Sequence, residues 1–383
     1  MKPSDNPLVQ LRRFGQSFWY DNIYRGLMTS GKLQRLIDMD GLRGLTANPS
    51  IFNQAVSESQ DYDSDIRALV AEGKQPMAIY EALATGDERQ AADLFRPLYD
   101  ETDGGDGFVS LEVAPELAHD TEGSIAEAHR LWREVNRPNL MIKIPATPEG
   151  IPAIEQLLYD GVNVNITLMF SLGHYEQVSN AYLNALERRL AEGKSLARIA
   201  SVASFFVSRL DTKVDKHLEA KLHKTSSPGE QAALRRLLGK AAVANAKLAY
   251  QRFKQVFGSP RFAAFKAKGA RVQRPLWAST STKNPAYRDV YYVEELIGPD
   301  TINTLPEVTV NAFRDHGVVK PTLEEGLDQA HAVMEWLAEV GIDIDQVTQE
   351  LQVEGVKAFA DSLDALLAGI DKKREALMAE QRK

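Results

Sequence analysis

The sequence contains no cysteine among its 383 residues. Without thiols the protein can form no disulfide bond, no iron–sulfur cluster, no zinc site with cysteine ligands and no cysteine nucleophile. Histidine is also scarce, because only seven occur and they are scattered without the spacing of metal ligands. We therefore expect neither a histidine-based metal site nor the disulfide framework of a small secreted domain.

Long apolar segments and nucleotide-binding motifs are absent too. No stretch approaches the roughly 18 to 20 apolar residues of a membrane span, and residues 1–13 contain no apolar run typical of a secretion signal. Neither a P-loop nor a glycine-rich dinucleotide motif occurs. The net charge of −8 argues against nucleic acid or an anionic membrane as the main partner. These absences predict a cytoplasmic protein, although a few local cations would suffice to bind a phosphorylated small molecule.

Short apolar segments rich in β-branched residues alternate with longer segments of helical periodicity. Eight of the short segments are predicted to be strands, at 17–20, 44–47, 108–113, 140–144, 162–169, 199–207, 274–279 and 301–305. Strands that alternate with helices form βαβ units and a parallel sheet. Eight such units predict an α/β protein with a (β/α)8 TIM-barrel fold, and a doubly wound open sheet is the structural alternative.

The chain is longer than a minimal barrel, which uses about 250 residues. Helical patterns between the strands include 228–256 and 284–296, and helical insertions are predicted near 62–100 and 210–270. A C-terminal extension of two or three amphipathic helices over 322–381 is expected to pack on the outside of the barrel. No linker rich in Pro, Gly and Ser divides the chain. The simplest prediction is one elaborated domain over 1–383.

Two of the predicted strands contain a charged residue within an apolar run. Lys143 interrupts Leu140-Met-Ile-Lys-Ile-Pro145, and burial of an unpaired ammonium favours the neutral amine that condenses with a carbonyl group to an imine. Glu112 occupies the preceding strand, and neighbouring strands lie about 5 Å apart, so its carboxylate could relay protons through a water molecule. The residues alone equally allow a structural lysine–glutamate pair or a lysine whose ammonium reaches solvent at the rim.

Polar residues also follow the first two predicted strands, at the end where a parallel barrel places its active site. Asp21 could remove a hydroxyl proton as a carbon–carbon bond breaks, or it could cap the next helix. Asn48 precedes a proline, which holds it extended. Its amide could bind substrate hydroxyls, or it could belong to the chemistry of the turn.

The fifth predicted strand alternates polar and apolar residues with a period of two. Asn163, Asn165 and Thr167 therefore share one face. Three polar residues on one face are unsuited to contact the surrounding helices. We expect this face to line the barrel interior near its mouth, where the side chains bind a ligand or one another.

The sixth and seventh predicted strands end in groups suited to an anionic substrate. Ser204, Phe206 and Arg209 lie at the end of the sixth strand, and Ser281 and Lys283 follow the seventh. Late βα loops of barrels frequently bind phosphate, since arginine forks onto phosphate oxygens and lysine supplies a point charge. The pattern predicts a phosphate site, although each residue taken singly is more typical of an ordinary surface position.

Taken together, these segments strongly resemble transaldolases. Five of them occur in the order and spacing of that family: GLTANPSIF (44–52), VSLEV (109–113), IKIP (142–145), NVNITLMFS (163–171) and SFFVSR (204–209). The resemblance extends from about residue 14 to residue 320. The segment LWASTSTKN (276–284) and the length of the chain are similar to the longer bacterial form of the family, within the class I aldolase superfamily.

The resemblance implies a role for each candidate residue. Lys143 would form the Schiff base, Glu112 would act as the water-assisted acid and base, and Asp21 would be the base for carbon–carbon cleavage. The substrate hydroxyls and the catalytic water would be held by Asn48, Asn165 and Thr167, and the phosphate by Ser204, Arg209, Ser281 and Lys283. Many family members carry arginine where Lys283 aligns, and Ser279 is the alternative to Ser281 in this turn.

The implied activity is the transfer of a dihydroxyacetone unit between sugar phosphates in the pentose phosphate pathway. The donor would be sedoheptulose 7-phosphate or fructose 6-phosphate, and the acceptor glyceraldehyde 3-phosphate or erythrose 4-phosphate. No cofactor and no metal are expected, because the protonated imine accepts the electron pair. A class I aldolase that releases free dihydroxyacetone is the nearest alternative, and a sugar-phosphate-binding barrel without activity is another. We expect a monomer or a homodimer.

Overall fold

The structure, a computed structural model, describes residues 5–47 and 49–381. Its centre is a closed barrel of eight parallel strands in sequence order. The strands are β1 (Gln16–Tyr20), β2 (Gly44–Thr46), β3 (Phe108–Glu112), β4 (Leu140–Pro145), β5 (Val164–Met169), β6 (Ser201–Phe206), β7 (Arg274–Ala278) and β8 (Thr301–Leu305). The closed barrel confirms the predicted (β/α)8 fold and rules out the open sheet.

Helices surround the barrel and fill the predicted insertions. In the described residues they are α1 (Pro7–Gln10), α2 (Arg25–Thr29), α3 (Lys32–Asp40), α4 (Pro49–Glu58), α5 (Asp63–Ala71), α6 (Pro76–Glu101), α7 (Thr121–Val135), α8 (Gly150–Asp160), α9 (Leu172–Ala191), α10 (Ser208–Leu222), α11 (Pro228–Leu237), α12 (Ala241–Phe257), α13 (Pro260–Lys266), α14 (Tyr291–Glu295), α15 (Glu307–His316), α16 (Leu327–Glu339) and α17 (Ile344–Gln381). Two 3₁₀ turns cover Leu11–Phe14 and Pro115–His119. None of the helices in this part of the chain is long and apolar enough to cross a membrane.

Two predicted helices differ from the observed ones. The segment 228–256 is divided into α11 and α12, because Gly239 between them adopts a left-handed conformation with φ of 68° that ends a helix. The segment 284–296 contains only the short helix α14. The residues before α14 form a loop that is held by side chains, including the Tyr287 hydroxyl, which donates to Asp215 at 2.7 Å.

The strands form because their residues are buried on both faces, as is usual where helices cover a parallel sheet. Every residue of β1, β4, β5, β6 and β8 is buried. Gly44 at the start of β2 makes room for Trp19, since a Cβ atom there would lie 2.5 Å from the indole ring. The resulting core brings the ends of the strands close together.

The amino-terminal end of the barrel is closed by a buried network of charges. Both oxygens of Asp106 are occupied: Oδ2 accepts from Arg43 and from Ser17, each at 2.6 Å, and Oδ1 accepts from Trp19 at 3.2 Å and pairs with Arg274 at 3.3 Å. Burial alone would raise the pKa of Asp106, but the two guanidinium charges and the hydrogen bonds outweigh it, so the pKa lies below its ordinary value. This network stabilises the end of the barrel that lies away from the predicted site.

The C-terminal extension consists of two helices, and their positions differ. Helix α16 packs against α12 in the outer layer, whereas α17 crosses the carboxyl end of the barrel. Gln352 of α17 donates to the carbonyl of Ala146, just after β4, at 2.8 Å, and to that of Leu168 in β5 at 3.2 Å. The expected outer position is therefore wrong for α17. That the chain is one domain stays a prediction.

Candidate active site

Lys143 and Glu112 meet at the carboxyl end of the barrel. Strand register places Lys143 opposite Glu112 on one side and Asn165 on the other. The Lys143 Nζ atom donates to Glu112 Oε2 at 3.0 Å and to the carbonyl of Ala47 at 3.5 Å. The lysine is 6% exposed, so its amine is buried and has one carboxylate partner.

A cavity of about 230 Å³ opens beside this amine. Eight of the residues predicted from the sequence line it: Asp21, Lys143, Thr167, Ser204, Phe206, Arg209, Ser281 and Lys283. Glu112 borders two neighbouring cavities and bonds to Lys143, and Asn165 accepts a hydrogen bond from Ser204. Asn48 lies outside the described residues. The fold thus brings together residues from β1 and β4 to β7 that are far apart in the sequence.

Asp21 is held by hydroxyl groups of neighbouring strands. Its backbone N–H donates to the carbonyl of Leu305 at the end of β8, at 2.9 Å. Thr46 Oγ1 donates to Asp21 Oδ1 at 2.7 Å and lies 2.9 Å from Thr304 Oγ1. This arrangement fixes the carboxylate at the cavity wall, where it is only half-buried and can accept a proton from a ligand.

The polar residues around β5 occupy two different depths of the barrel. Asn165 is fully buried, donates to Ser110 Oγ at 3.0 Å and accepts from Ser204 Oγ at 2.6 Å. Asn163, which shares its face, instead donates to the carbonyls of Pro138 and Leu140 at the start of β4. The expectation that Asn163 lies near the mouth is therefore wrong, since it joins backbone groups at the amino end.

Thr167 is the polar residue of β5 that faces the cavity. The residue is 1% exposed, and its Oγ1 atom has no hydrogen-bond partner among the described residues. A buried hydroxyl without a partner is uncommon in proteins and calls for an explanation such as a ligand or an ordered water. Its position beside Lys143 favours a hydroxyl-bearing ligand.

Arg209 presents a cation that no described side chain neutralises by an ion pair. It lies in the first turn of α10, with its guanidinium carbon 5.1 Å from the centre of the Phe206 ring. Burial lowers its pKa below the ordinary value, and the charges of Asp21 and Glu112 offset part of this effect. A helix N-terminus attracts anions, so guanidinium and helix together form a place for a phosphate group.

The turn after β7 supplies further donors on the same side of the cavity. Lys283 Nζ donates to Ser281 Oγ at 2.7 Å, which leaves the serine proton available for a ligand. Ser279 also lines the cavity, and its Oγ lies 3.1 Å from Ser208 Oγ. Ser279 has a φ of 55°, a left-handed conformation that turns the chain back over the barrel. The geometry is compatible with either serine as the phosphate ligand.

Several residues of the cavity wall were not predicted from the sequence, among them Thr304 and Phe359. Thr304 is the last polar residue of β8 and was not singled out, and Phe359 comes from α17, more than 200 residues after Lys143 in the chain. The Lys143 Nζ atom lies 5.6 Å from the centre of the Phe359 ring. The periodicity of α17 showed an apolar face, but it did not show what this face covers.

Comparisons with known proteins identify the family to which the chain is similar. The model of a family described as "Transaldolase/Fructose-6-phosphate aldolase" matches residues 18–370. The chain is 46% identical to a transaldolase of Trichodesmium erythraeum over 97% of this chain and 98% of that protein. It is 49% identical to a transaldolase of Thiobacillus denitrificans, over 95% of this chain and 99% of that protein, and 47% identical to "Transaldolase 2" of Nostoc punctiforme, over 98% and 99%.

Proposed function

Since the chain belongs to the transaldolase/fructose-6-phosphate aldolase family, we propose that it is a transaldolase acting through a Schiff base on Lys143. It transfers a dihydroxyacetone unit from a ketose phosphate, such as fructose 6-phosphate or sedoheptulose 7-phosphate, to an aldose phosphate. The acceptor is glyceraldehyde 3-phosphate or erythrose 4-phosphate. The observation that carries this proposal is the buried amine of Lys143, which lies 3.0 Å from Glu112 at the wall of a polar cavity.

The Lys143–Glu112 pair supports both halves of imine formation. The neutral amine adds to the C2 carbonyl of the donor, and the resulting carbinolamine must lose water. Before the addition, Glu112 takes one proton from the Lys143 ammonium through a water molecule, and it later returns that proton to the departing hydroxyl. A second nitrogen proton passes to the carbinolamine oxygen, and the third stays on the nitrogen of the protonated imine. The same residues acting in reverse release the product ketose, so Glu112 serves as base and acid in turn.

Asp21 is the proposed base for carbon–carbon cleavage. It takes the proton of the C4 hydroxyl as the C3–C4 bond breaks, and the electron pair of that bond moves into the protonated imine. The aldose phosphate leaves, and a three-carbon enamine stays on Lys143. Addition of a second aldehyde reverses these steps. The bond from Thr46 to Asp21 supports this role, because it holds the carboxylate in place at the cavity wall.

Hydrogen-bonding capacity supports distinct roles for the polar residues of β5 and β6. The unpaired hydroxyl of Thr167 can bind a substrate hydroxyl or the catalytic water. The proton of Ser204 is already donated to Asn165. A phosphate oxygen needs a donor, so we propose that Ser204 orients Asn165 beside Lys143 and contacts the substrate as an acceptor. Asn48 stays a proposed ligand by resemblance alone.

The phosphate group is proposed to bind at the opposite wall. Arg209 offers a forked guanidinium at the start of α10, where the helix dipole favours an anion. Ser281 and Lys283 add a hydroxyl and an ammonium from the turn after β7. The Phe206 ring lies against the guanidinium and supports its orientation. Lys143 and Arg209 thus engage the reacting carbons and the phosphate of one sugar.

Borohydride trapping tests the Schiff base. Wild-type protein incubated with fructose 6-phosphate and reduced should carry a stable three-carbon adduct on Lys143, identified by peptide mass spectrometry. The matched control is Lys143→Met, which keeps the length of the side chain and loses the amine. We expect no adduct and a loss of turnover of about 10⁴-fold or more, as for other lost nucleophiles. An adduct on another lysine of the wild-type protein would contradict the mechanism.

The same reaction separates a transaldolase from an aldolase. With fructose 6-phosphate alone, a transaldolase should hold the three-carbon unit, and with erythrose 4-phosphate it should form a seven-carbon ketose phosphate. Rapid release of dihydroxyacetone without acceptor would instead identify an aldolase. We also propose a cytoplasmic enzyme that acts as a monomer or homodimer and binds no nucleic acid, and the net charge of −8 supports the last point.

A further inference from the structure

The last helix of the chain presents one continuous face to the barrel. Gln352, Gly355 and Phe359 recur every three or four residues and therefore lie on the same side of α17. Gln352 binds two backbone carbonyls at the ends of β4 and β5, and Phe359 lines the cavity of Lys143. The helix is therefore aligned over the active site by hydrogen bonds to the strand ends themselves.

Close packing determines how near this face of α17 comes to the ends of the strands. A Cβ atom on Gly355 would lie 2.7 Å from Leu168 Cδ2, so a larger residue at this position would require the Leu168 side chain to shift. Leu168 in turn adopts a φ of 58° at an irregularity in the pairing of β5 with β6, and its carbonyl accepts from Gln352. One helical turn further, the Phe359 ring reaches to 5.6 Å from Lys143 Nζ.

Ion pairs hold α17 on both sides of the cavity. Lys213 of α10 pairs with Glu350 at 2.8 Å, and Lys373 of α17 pairs with Asp63 and donates to the carbonyl of Val56, each at 2.7 Å. These two anchors are separated by roughly 35 Å of helix, given a rise of about 1.5 Å per residue. Phe359 lies between them, so the helix holds its ring in place over the amine.

We propose that Phe359 shields the enamine on Lys143 from water and is thereby a specificity-determining residue for transfer over release. The inference rests on the proposed function, because it concerns the fate of that enamine. Release consumes one water: the enamine carbon takes a proton, water adds to C2 of the iminium, the C2–N bond breaks, and dihydroxyacetone and the free amine result. A phenyl ring supplies neither a proton nor a lone pair, and it occupies space that water would fill.

The test compares release with transfer in three variants of the full-length protein. Phe359→Ala opens the space above the amine, Phe359→Leu keeps an apolar side chain there, and Val353→Ala removes an apolar side chain that is 61% exposed on the same helix. Dihydroxyacetone release from fructose 6-phosphate is measured without acceptor, and ketose formation is measured with erythrose 4-phosphate. Thermal unfolding and borohydride trapping are followed in parallel.

For Phe359→Ala we expect the ratio of release to transfer to rise about 10-fold or more, because water gains access to the enamine. The three-carbon adduct should still be trapped on Lys143. The ratio for Phe359→Leu and Val353→Ala should stay within about 2-fold of the wild-type ratio. An unchanged ratio in a folded Phe359→Ala variant that still forms the adduct would overturn the inference, as would loss of the adduct in that variant alone. Absence of an adduct in the wild-type protein would instead contradict the proposed function.

Discussion

Two buried ion pairs lie at opposite ends of the same barrel, and they are built differently. At the amino end, both oxygens of Asp106 are engaged by Arg43, Arg274 and two further donors. At the carboxyl end, Glu112 is the single carboxylate partner of Lys143 among the described residues, and Lys143 also borders a cavity. A charged group whose hydrogen-bonding capacity is fully used by its partners stabilises the fold. A charged group that can still form hydrogen bonds beside a cavity is available for chemistry.

The buried carboxyl groups show the same contrast in their proton affinities. Burial raises the pKa of any carboxyl group. At Asp106 two guanidinium charges more than compensate for burial, so its pKa is low. Glu88 of α6 borders a small cavity together with Glu112. One of its oxygens has no hydrogen-bond partner in the described part of the chain, and burial raises its pKa to about 8. Two carboxyl groups that are equally buried therefore have pKa shifts in opposite directions, because the cations near them differ.

The largest expected effect on stability comes from the saturated pair. Asp106→Asn leaves Arg43 and Arg274 without their buried counter-charge, and we expect the free energy of unfolding to fall by about 3–5 kcal/mol. Turnover per folded molecule should stay within about 2-fold, because the network lies at the end of the barrel that is opposite the active site. Urea unfolding and activity measured on the folded fraction check both statements.

Asp103→Asn in the same loop is the matched control. The Asp103 side chain is 72% exposed and pairs with Arg198 and Arg271 at the surface, so its loss should cost about 1 kcal/mol or less. If Asp106→Asn were stable but slow in turnover, the assignment of the amino-terminal network to stability alone would be wrong.

A smaller effect, on catalysis rather than stability, is expected at the uncompensated cation. Arg209→Met should lower kcat/KM for fructose 6-phosphate about 10²-fold, because a bidentate contact with the phosphate is lost. The free energy of unfolding should not fall, since Arg209 has no ion-pair partner among the described residues. Lys283→Met should have a weaker effect of about 10-fold, because Lys283 is an exposed point charge.

Unphosphorylated fructose distinguishes phosphate binding from a general defect at Arg209. The ratio of kcat/KM for fructose 6-phosphate to that for fructose should fall in Arg209→Met. Equal losses of kcat/KM for the two donors would show that Arg209 acts on the reacting carbons. The assignment of the phosphate to the cavity wall that carries Arg209 would then be wrong.

The smallest expected effect is the contribution of Glu88 to the pH dependence of the protein's stability. Its pKa in the folded protein, about 8, lies above the ordinary value of 4.5, because of burial and the nearby charge of Asp87, with Lys143 acting in the opposite direction. The folded state therefore binds the proton more tightly than the unfolded state does. This contribution to stability is complete below about pH 4.5 and is lost as the pH rises through 8.

Glu88→Gln removes the titrating group and keeps the shape of the side chain. Between pH 6 and pH 8, the wild-type protein should lose about 2 kcal/mol of stability relative to this variant. Glu101→Gln, at the exposed end of the same helix, should follow the wild-type curve. Parallel curves for wild type and Glu88→Gln would show that Glu88 is not a protonated carboxylic acid in the folded protein.

Much of the barrel and of the site could be predicted from the sequence. Alternation of strand and helix patterns is a local property, so it predicted the eight strands and the closed barrel. Candidate residues at the ends of the strands were predicted to lie close together, and eight of these residues line one cavity. The period of two at β5 predicted that Asn163 and Asn165 share one face. It did not predict how far along the barrel axis each residue lies, and Asn163 lies at the amino end of the barrel.

Hydrogen-bond partners could not be predicted, because they depend on residues that are distant in the sequence. Ser204 was a proposed phosphate ligand, and in the structure its proton is donated to Asn165. The positions of the two C-terminal helices depend on the same kind of information. An amphipathic pattern requires that one face be covered, but the surface that covers it is chosen by packing.

The sequence by itself determined the alternation of eight strands with helices, the place of Lys143 and Glu112 on successive strands, and the family, since these depend on local patterns and on motifs in register. Only the tertiary structure decided which charges are saturated, as at Asp106, and which are left available, as at Lys143 and Arg209. It also decided that α17 brings Phe359 over the amine. The physical reason is that burial and partner number belong to a position in space, and residues far apart in the chain supply them.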